Sequence, residues 1–226
     1  MKKLAVFFPG IGYTADKPLL YYSRKLAAEL SYEVLTLSYG GFPKKPKGDP
    51  EKLRACFRLA AEQASEQLAE VRWKHYDEIV FVTKSIGTAV AAALAAKTPA
   101  AGRIRFVLYT PVEELFSFPL GEAVAFTGQA DPWVGGAESR VPALCRERGI
   151  PCLVFPGANH SLETGDLHTD LQTLNTVMQR TETFLRGADG NINGRIPALS
   201  GKTLGKSGAF CADIGGSSII DAPGRE

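Results

Sequence analysis

Long hydrophobic runs are missing from this sequence. The apolar stretch after Met1-Lys2-Lys3 stops at Pro9-Gly10, well short of the ~20 residues a membrane-spanning helix needs and too short for the core of a secretion signal. Paired cysteines are missing too. Cys56, Cys145, Cys152 and Cys211 contain no CxxC spacing, so neither a metal site nor a redox pair is expected, and free thiols in a reducing compartment fit the pattern. An excess of either charge is also absent: 26 Lys and Arg stand against 24 Asp and Glu, a net charge of +2. That balance, evenly spread along the chain, excludes a nucleic-acid surface and a polybasic membrane anchor. These absences leave a cytoplasmic protein that acts on small molecules, with no expected metal, cofactor, nucleic-acid or membrane partner. They leave the oligomeric state open.

What is present is a regular alternation of strand and helix patterns. At 226 residues the chain can bury one good core. Leu4 to Phe8 is continuously apolar, as in a strand covered on both faces, and ends in the glycine loop Pro9-Gly10-Ile11-Gly12. Pro18 can open a helix that carries Leu19, Leu26 and Leu30, and Glu33 to Tyr39 returns to strand character. From Pro50 to Val71, Leu53, Phe57, Ala60, Ala64 and Leu68 share one face of an amphipathic helix. Glu78 to Thr83 is the third strand. An alanine-rich helix follows Ser85 and is apolar enough to be buried against the sheet. Ile104 to Tyr109, Ala123 to Thr127 and Pro151 to Phe155 supply three further strands, with a helix near Glu138 to Arg148 between the last two. A final helix places Leu167, Leu171, Leu174, Met178 and Leu185 on one stripe. The expected fold is α/β: a mainly parallel six-stranded sheet with helices on both faces.

The folded domain is expected over 1–186. Residues 187–226 read as a glycine-rich, irregular extension, with few aromatics and no sustained period. Within it, Gly201-Lys202-Thr203-Leu204-Gly205-Lys206-Ser207 invites comparison with a phosphate-binding loop. Only three residues separate its glycines where that motif needs four, and no apolar strand precedes it.

Three polar residues stand at strand ends in a chemically suggestive order. Ser85, in Phe81-Val82-Thr83-Lys84-Ser85-Ile86-Gly87, marks the break between the third strand and the alanine helix. Asp131 follows the fifth strand in Gly128-Gln129-Ala130-Asp131-Pro132-Trp133, and His160 follows the sixth in Gly157-Ala158-Asn159-His160-Ser161. Singly, each has a plain structural reading as a helix cap, a turn former or a loop residue. Together they lie at the carboxyl edge of one sheet in the order Ser, Asp, His, where a serine hydroxyl, a base to take its proton and an acid to orient that base can meet. Glu163 is an alternative partner for the histidine. His75 and His168 read as surface residues.

Those positions resemble the α/β-hydrolase superfamily lacking its first two strands. The resemblance spans Lys3 to about Arg186 and is to a small, lidless, dienelactone-hydrolase or carboxylesterase-like member. It implies a serine hydrolase that cleaves a small ester or thioester through an acyl-enzyme. Ser85 would be the nucleophile, His160 the base and then acid, and Asp131 the orienting group. The oxyanion would be met by the Ile86 N–H and by an amide of the first loop, Ile11 or Gly12. Two departures are visible. Thr83 stands where the GxSxG elbow usually has glycine, and the first loop lacks the usual histidine-glycine start.

Only Pro111 to Gly121 separates the fourth strand from the fifth, which leaves no room for a lid. Trp133, Phe116 and Glu113 fall near the sheet's carboxyl edge and are candidate substrate contacts. Lys84 and the run Lys44-Lys45-Pro46-Lys47 read as solvated. Two other classes remain open. Gly10, Gly12 and Ala15 match G-x-G-x-x-A, the loose dinucleotide-binding fingerprint of a Rossmann-like oxidoreductase, but the second strand closes on Ser38-Tyr39-Gly40 without the acidic residue a ribose requires, and Pro18 delays the helix. A ligand-binding protein of the hydrolase fold without catalysis is the third possibility.

Overall fold

The computed structural model describes residues 1–187; Cys211 and the glycine-spaced segment at 201–207 lie outside them. The chain runs β1 (Lys3–Phe8), α1 (Pro18–Glu29), β2 (Tyr32–Thr36), α2 (Pro50–Gln67), β3 (Glu78–Lys84), α3 (Ile86–Ala95), β4 (Ile104–Tyr109), β5 (Ala123–Gly128), α4 (Val141–Glu147), β6 (Cys152–Phe155) and α5 (Leu167–Leu185). The strands form one sheet in the order β2-β1-β3-β4-β5-β6, every neighbouring pair parallel. All carboxyl ends therefore open onto one edge, where ligands of open α/β sheets bind.

The continuous apolar run of β1 divides between two cores by the period of two that a strand imposes. Leu4, Val6 and Phe8 join the larger core with Ala60 and Ala64 of α2, Val90 to Ala92 of α3, and Val141 and Cys145 of α4. Ala5 and Phe7 join the second with Leu19, Leu20 and Ala27 of α1 and Val177, Phe184 and Leu185 of α5. Helices thus cover both faces. The alanine helix α3 is buried along nearly its whole length, which small side chains permit by letting it lie close to the sheet. The approach is closest at Gly87, where a Cβ would sit 2.5 Å from the carbonyl oxygens of Phe8 and Pro9.

Three boundaries differ from the sequence expectation by more than a residue or two. The second strand ends at Thr36 instead of Tyr39: Leu37 N–H still donates to the Phe7 carbonyl, but beyond it the backbone turns to side chains for partners. Gln67 bonds both the N–H and the carbonyl of Ser38, and Gln63 does the same for Gly40, at 2.9 to 3.0 Å. One turn apart on α2, these two glutamines continue the ladder past the last strand residue. The helix α2 itself ends at Gln67, short of Val71; at its other end the Asp49 carboxylate accepts from Lys52 N–H and Pro50 occupies the first turn, as helix starts favour. Before α4, Glu138 belongs to a separate 3-10 turn over Gly136–Glu138, and Val141 and Pro142 open the helix proper.

Between β4 and β5 there is only the 3-10 turn Glu113–Ser117. Arg105 donates to the Phe184 carbonyl at 2.7 Å and the Tyr32 hydroxyl to that of Leu185 at 2.7 Å, which satisfies carbonyls left open at the end of α5. Cys56, Cys145 and Cys152 carry free thiols. Among the described residues no helix is long and apolar enough to cross a membrane.

Candidate active site

Ser85 sits between β3 and α3 with φ 56° and ψ −128°, a region where non-glycine residues are strained. The surroundings hold it there. Its N–H donates to the Tyr109 carbonyl at 3.0 Å, and its own carbonyl accepts from the N–H and the hydroxyl of Thr88 at 2.9 and 2.7 Å. Thr83, in place of the usual glycine, is accommodated by a hydrogen bond: buried between β1 and β4, its hydroxyl donates to the Val107 carbonyl at 2.9 Å. The close approach to the turn is made by Gly10, where a Cβ would stand 3.0 Å from Ser85 Cβ and 3.3 Å from the Lys84 carbonyl oxygen.

The other two residues arrive on adjacent strand ends that are tied together. Gln129 and Ala130, after β5, donate to the carbonyls of Phe155 and Ala158, after β6, each at 2.9 Å. Gly128 allows the contact, since a Cβ there would collide with the carbonyl oxygens of Ala158 and Asn159. Asn159 closes the turn that carries His160 by accepting from the amides of Ser161 and Glu163. Asp131 is fully buried and uses both carboxylate oxygens: Oδ1 accepts from Trp133 N–H at 2.9 Å, and Oδ2 lies 2.6 Å from His160 Nδ1. On the far side of the ring, Nε2 lies 2.7 Å from Ser85 Oγ. A carboxylate can only accept, so Nδ1 carries the proton and donates to Asp131; Nε2 of the neutral ring is left to accept from the Ser85 hydroxyl.

Burial is the main influence holding the His160 pKa below its ordinary value. The charges of Lys84 and Lys47 push the same way, and the hydrogen bond that His160 donates to Asp131 opposes them. At neutral pH the imidazole is therefore an acceptor. The Trp133 ring stacks on it, centroids 5.4 Å apart and planes 28° from parallel, and Lys47 Nζ lies 5.8 Å from the centre of that indole.

Lys84 is a correction to the sequence reading. The solvated side chain expected there is fully buried, and its Nζ has no hydrogen-bond partner among the described residues. It rests 4.8 Å from the centre of the Tyr13 ring. Burial lowers its pKa to about 7, with the Asp131 carboxylate working against the shift. The Tyr13 phenol is pushed up, chiefly by burial, and its oxygen accepts from Leu19 N–H at 3.0 Å. A strand-end lysine gives no sequence signal of burial, because the ring that covers it comes from the β1–α1 loop.

The remaining candidates divide. Ile86 opens α3, so its N–H has no intrahelical acceptor. Ile11 and Gly12 lie in the loop bridged by Gly10 N–H to the Tyr13 carbonyl at 3.1 Å, and their own amides make no backbone hydrogen bond among the described residues. Phe116 is part of the larger core and only 6% exposed, while Glu113 pairs with Arg140 at 3.5 Å on the surface. The side chain of Glu163 is exposed, as are His75 and His168. It is Asp131, not Glu163, that the structure brings to His160. A cleft of about 230 Å³ lined by Leu19, Leu162, Leu167, Leu171 and Leu174 lies beside the turn after His160. Among the described residues no three His, Cys, Asp or Glu side chains gather as a metal site would.

No protein-family model matches this sequence, and no curated protein matches it. Solved structures do match in shape. An α/β serine hydrolase homologue from Coxiella burnetii is 17% identical, covering 79% of this chain and 84% of that one at a TM-score of 0.53. An α/β serine hydrolase without a lid from Xanthomonas campestris is 17% identical over 82% and 83%, with a TM-score of 0.52. An esterase from Pyrococcus furiosus is 13% identical over 84% of each chain, with a TM-score of 0.57. With its parallel six-stranded sheet, its serine turn after β3 and no lid between β4 and β5, the chain has the α/β-hydrolase fold.

Proposed function

We propose that the protein is a serine hydrolase that cleaves a small ester or thioester through an acyl-enzyme. The observation that carries this reading is the unbroken line of hydrogen bonds from Asp131 through His160 to Ser85, 2.6 and 2.7 Å long, ending on a serine held at positive φ. A serine hydroxyl attacks poorly at neutral pH unless a base takes its proton as it does so. His160 Nε2 is placed to accept that proton. The imidazolium formed is stabilised by Asp131, which stays ionised, and returns the proton to the leaving alcohol or thiol. Water then enters, His160 takes its proton, and attack on the acyl-Ser85 carbonyl releases the acid and restores the serine.

The tetrahedral intermediates in both halves place a negative oxygen beside Ser85. The Ile86 N–H, at the amino end of α3, is assigned as one donor, helped by the helix dipole. An amide of Ile11 or Gly12 is assigned as the second, since Gly10 brings that loop against Ser85. One such donor is worth roughly 3 to 4 kcal/mol. The short β4–β5 connection supports an open site suited to short acyl groups, and Trp133, stacked on the base, is the best placed of the candidate substrate contacts. Hydrolase and esterase names among the structural relatives agree with this chemistry.

No observation favours the dinucleotide reading: Gly10 is used against Ser85, and α1 begins only at Pro18. A binding protein without catalysis would have no use for a strained serine aligned with a base and an acid. The test is turnover of a short-chain p-nitrophenyl ester. Ser85→Ala and His160→Ala should each abolish it while circular dichroism stays that of the parent, and unchanged turnover by either variant would refute its assigned role.

A further inference from the structure

Lys84 immediately precedes Ser85, and the reaction above gives it no part. Its amine is fully buried without a hydrogen-bond partner among the described residues, an arrangement that costs several kcal/mol. An aliphatic side chain would fill the same space without that cost, so packing does not account for the amine. Its Nζ lies over the face of Tyr13, 4.8 Å from the ring centre. That ring is held at its hydroxyl oxygen, which accepts from Leu19 N–H at the start of α1, and it belongs to the loop that carries Ile11 and Gly12.

We propose that Lys84 is a positioning residue for the Ser85 site: held under Tyr13 and one residue from the nucleophile, its ammonium places a positive charge beside the site below neutral pH and so helps burial keep the His160 imidazole able to accept the Ser85 proton. The inference rests on the serine-hydrolase reading.

Among the described residues, few titratable groups act on this charge. Asp131, after β5, attracts it, and His160, after β6, is disfavoured as an imidazolium by it. Lys47 acts on His160 in the same sense. Tyr109 of β4 pairs with Lys84 of β3; burial raises its phenol pKa, and it is bonded to Ser23 and Thr181, so it stays neutral. Tyr13 likewise stays neutral, with Glu163 adding to its upward shift. The lysine titrates at about pH 7, so it is charged throughout the acid range in which His160 takes up its proton. There the charge extends the working range of the base downward.

The experiment is the rate of fluorophosphonate labelling at Ser85 as a function of pH, on the full chain. Lys84→Met should fold, since it removes an unpaired buried amine and keeps the length of the side chain. Its acid midpoint should lie above that of the parent, so that at about pH 5.5, below the ordinary histidine value, labelling falls several-fold relative to the variant's own plateau. Tyr13→Phe keeps the ring and loses only the bond to Leu19, and its midpoint should stay at the parent value. A Lys84→Met midpoint equal to that of the parent, or an equal displacement in Tyr13→Phe, would overturn the proposal while leaving Ser85 as nucleophile. Absence of labelling at Ser85 in the parent at every pH would overturn the serine-hydrolase reading itself, and this inference with it.

Discussion

Trp133 holds His160 in two ways at once. Its indole stacks on the imidazole at 5.4 Å, and its backbone N–H donates to the Asp131 oxygen that His160 does not use. Removing the ring separates the two roles, because the amide remains. Trp133→Ala should keep Asp131 in place yet expose the imidazole. Burial is the largest influence lowering the His160 pKa, so exposure returns it toward its ordinary value, and the acid limb of kcat/KM should move to higher pH with about a tenfold loss in rate. Trp133→Phe should restore most of both. A pH profile of kcat/KM for the three proteins checks this.

The two carboxylates near His160 give opposite expectations. Asp131→Asn keeps the shape of the site but loses the acceptor that fixes the histidine tautomer, and should lower kcat by about 10⁴-fold, as in serine proteases. Glu163→Gln should stay near parent activity, since only the backbone of Glu163 takes part in the turn. Steady-state kinetics on one ester decides between them.

Two glycines carry the steric design. In Gly87→Ala the new methyl meets two backbone carbonyls at 2.5 Å, which cannot swing aside as a side chain can, so α3 must lift from β1. A loss of about 1–3 kcal/mol, the usual range for overpacking, should appear in urea unfolding. Gly10→Ala meets Ser85 Cβ at 3.0 Å, so its effect should fall on activity more than on stability.

Lys84 also makes stability depend on pH. Its folded pKa of about 7 lies below its unfolded value of 10.5, so the unfolded state binds more protons between these values and stability rises with pH across that window. The penalty is complete below pH 7, where a shift of this size corresponds to roughly 5 kcal/mol, and fades by about pH 10.5. Lys84→Met should therefore be more stable than the parent at neutral and acid pH, with the gap closing toward pH 10. Urea unfolding of both proteins at several pH values measures that gap.

Much of this was legible in the sequence because it is written locally. Apolar runs ending in glycine and proline placed the strands, and Ser85, Asp131 and His160 each sit at the end of one, so a parallel sheet had to bring them to a common edge. What was not legible depends on partners distant in sequence. The burial of Lys84 requires the Tyr13 ring, the end of β2 is decided by Gln63 and Gln67 on the next helix, and Thr83 fits because Val107 on β4 supplies an acceptor. Phe116 read as a possible wall of the site because it follows a strand end; the 3-10 turn that carries it rotates the ring into the core.

Ser85 acting as a nucleophile activated by His160 can be checked by mass spectrometry of the intact folded protein after a fluorophosphonate probe at neutral pH, followed by peptide mapping of the adduct. A single adduct on Ser85 is expected, lost in Ser85→Ala and strongly slowed in His160→Ala. An adduct on another residue, or none on a protein whose fold is intact, would contradict it.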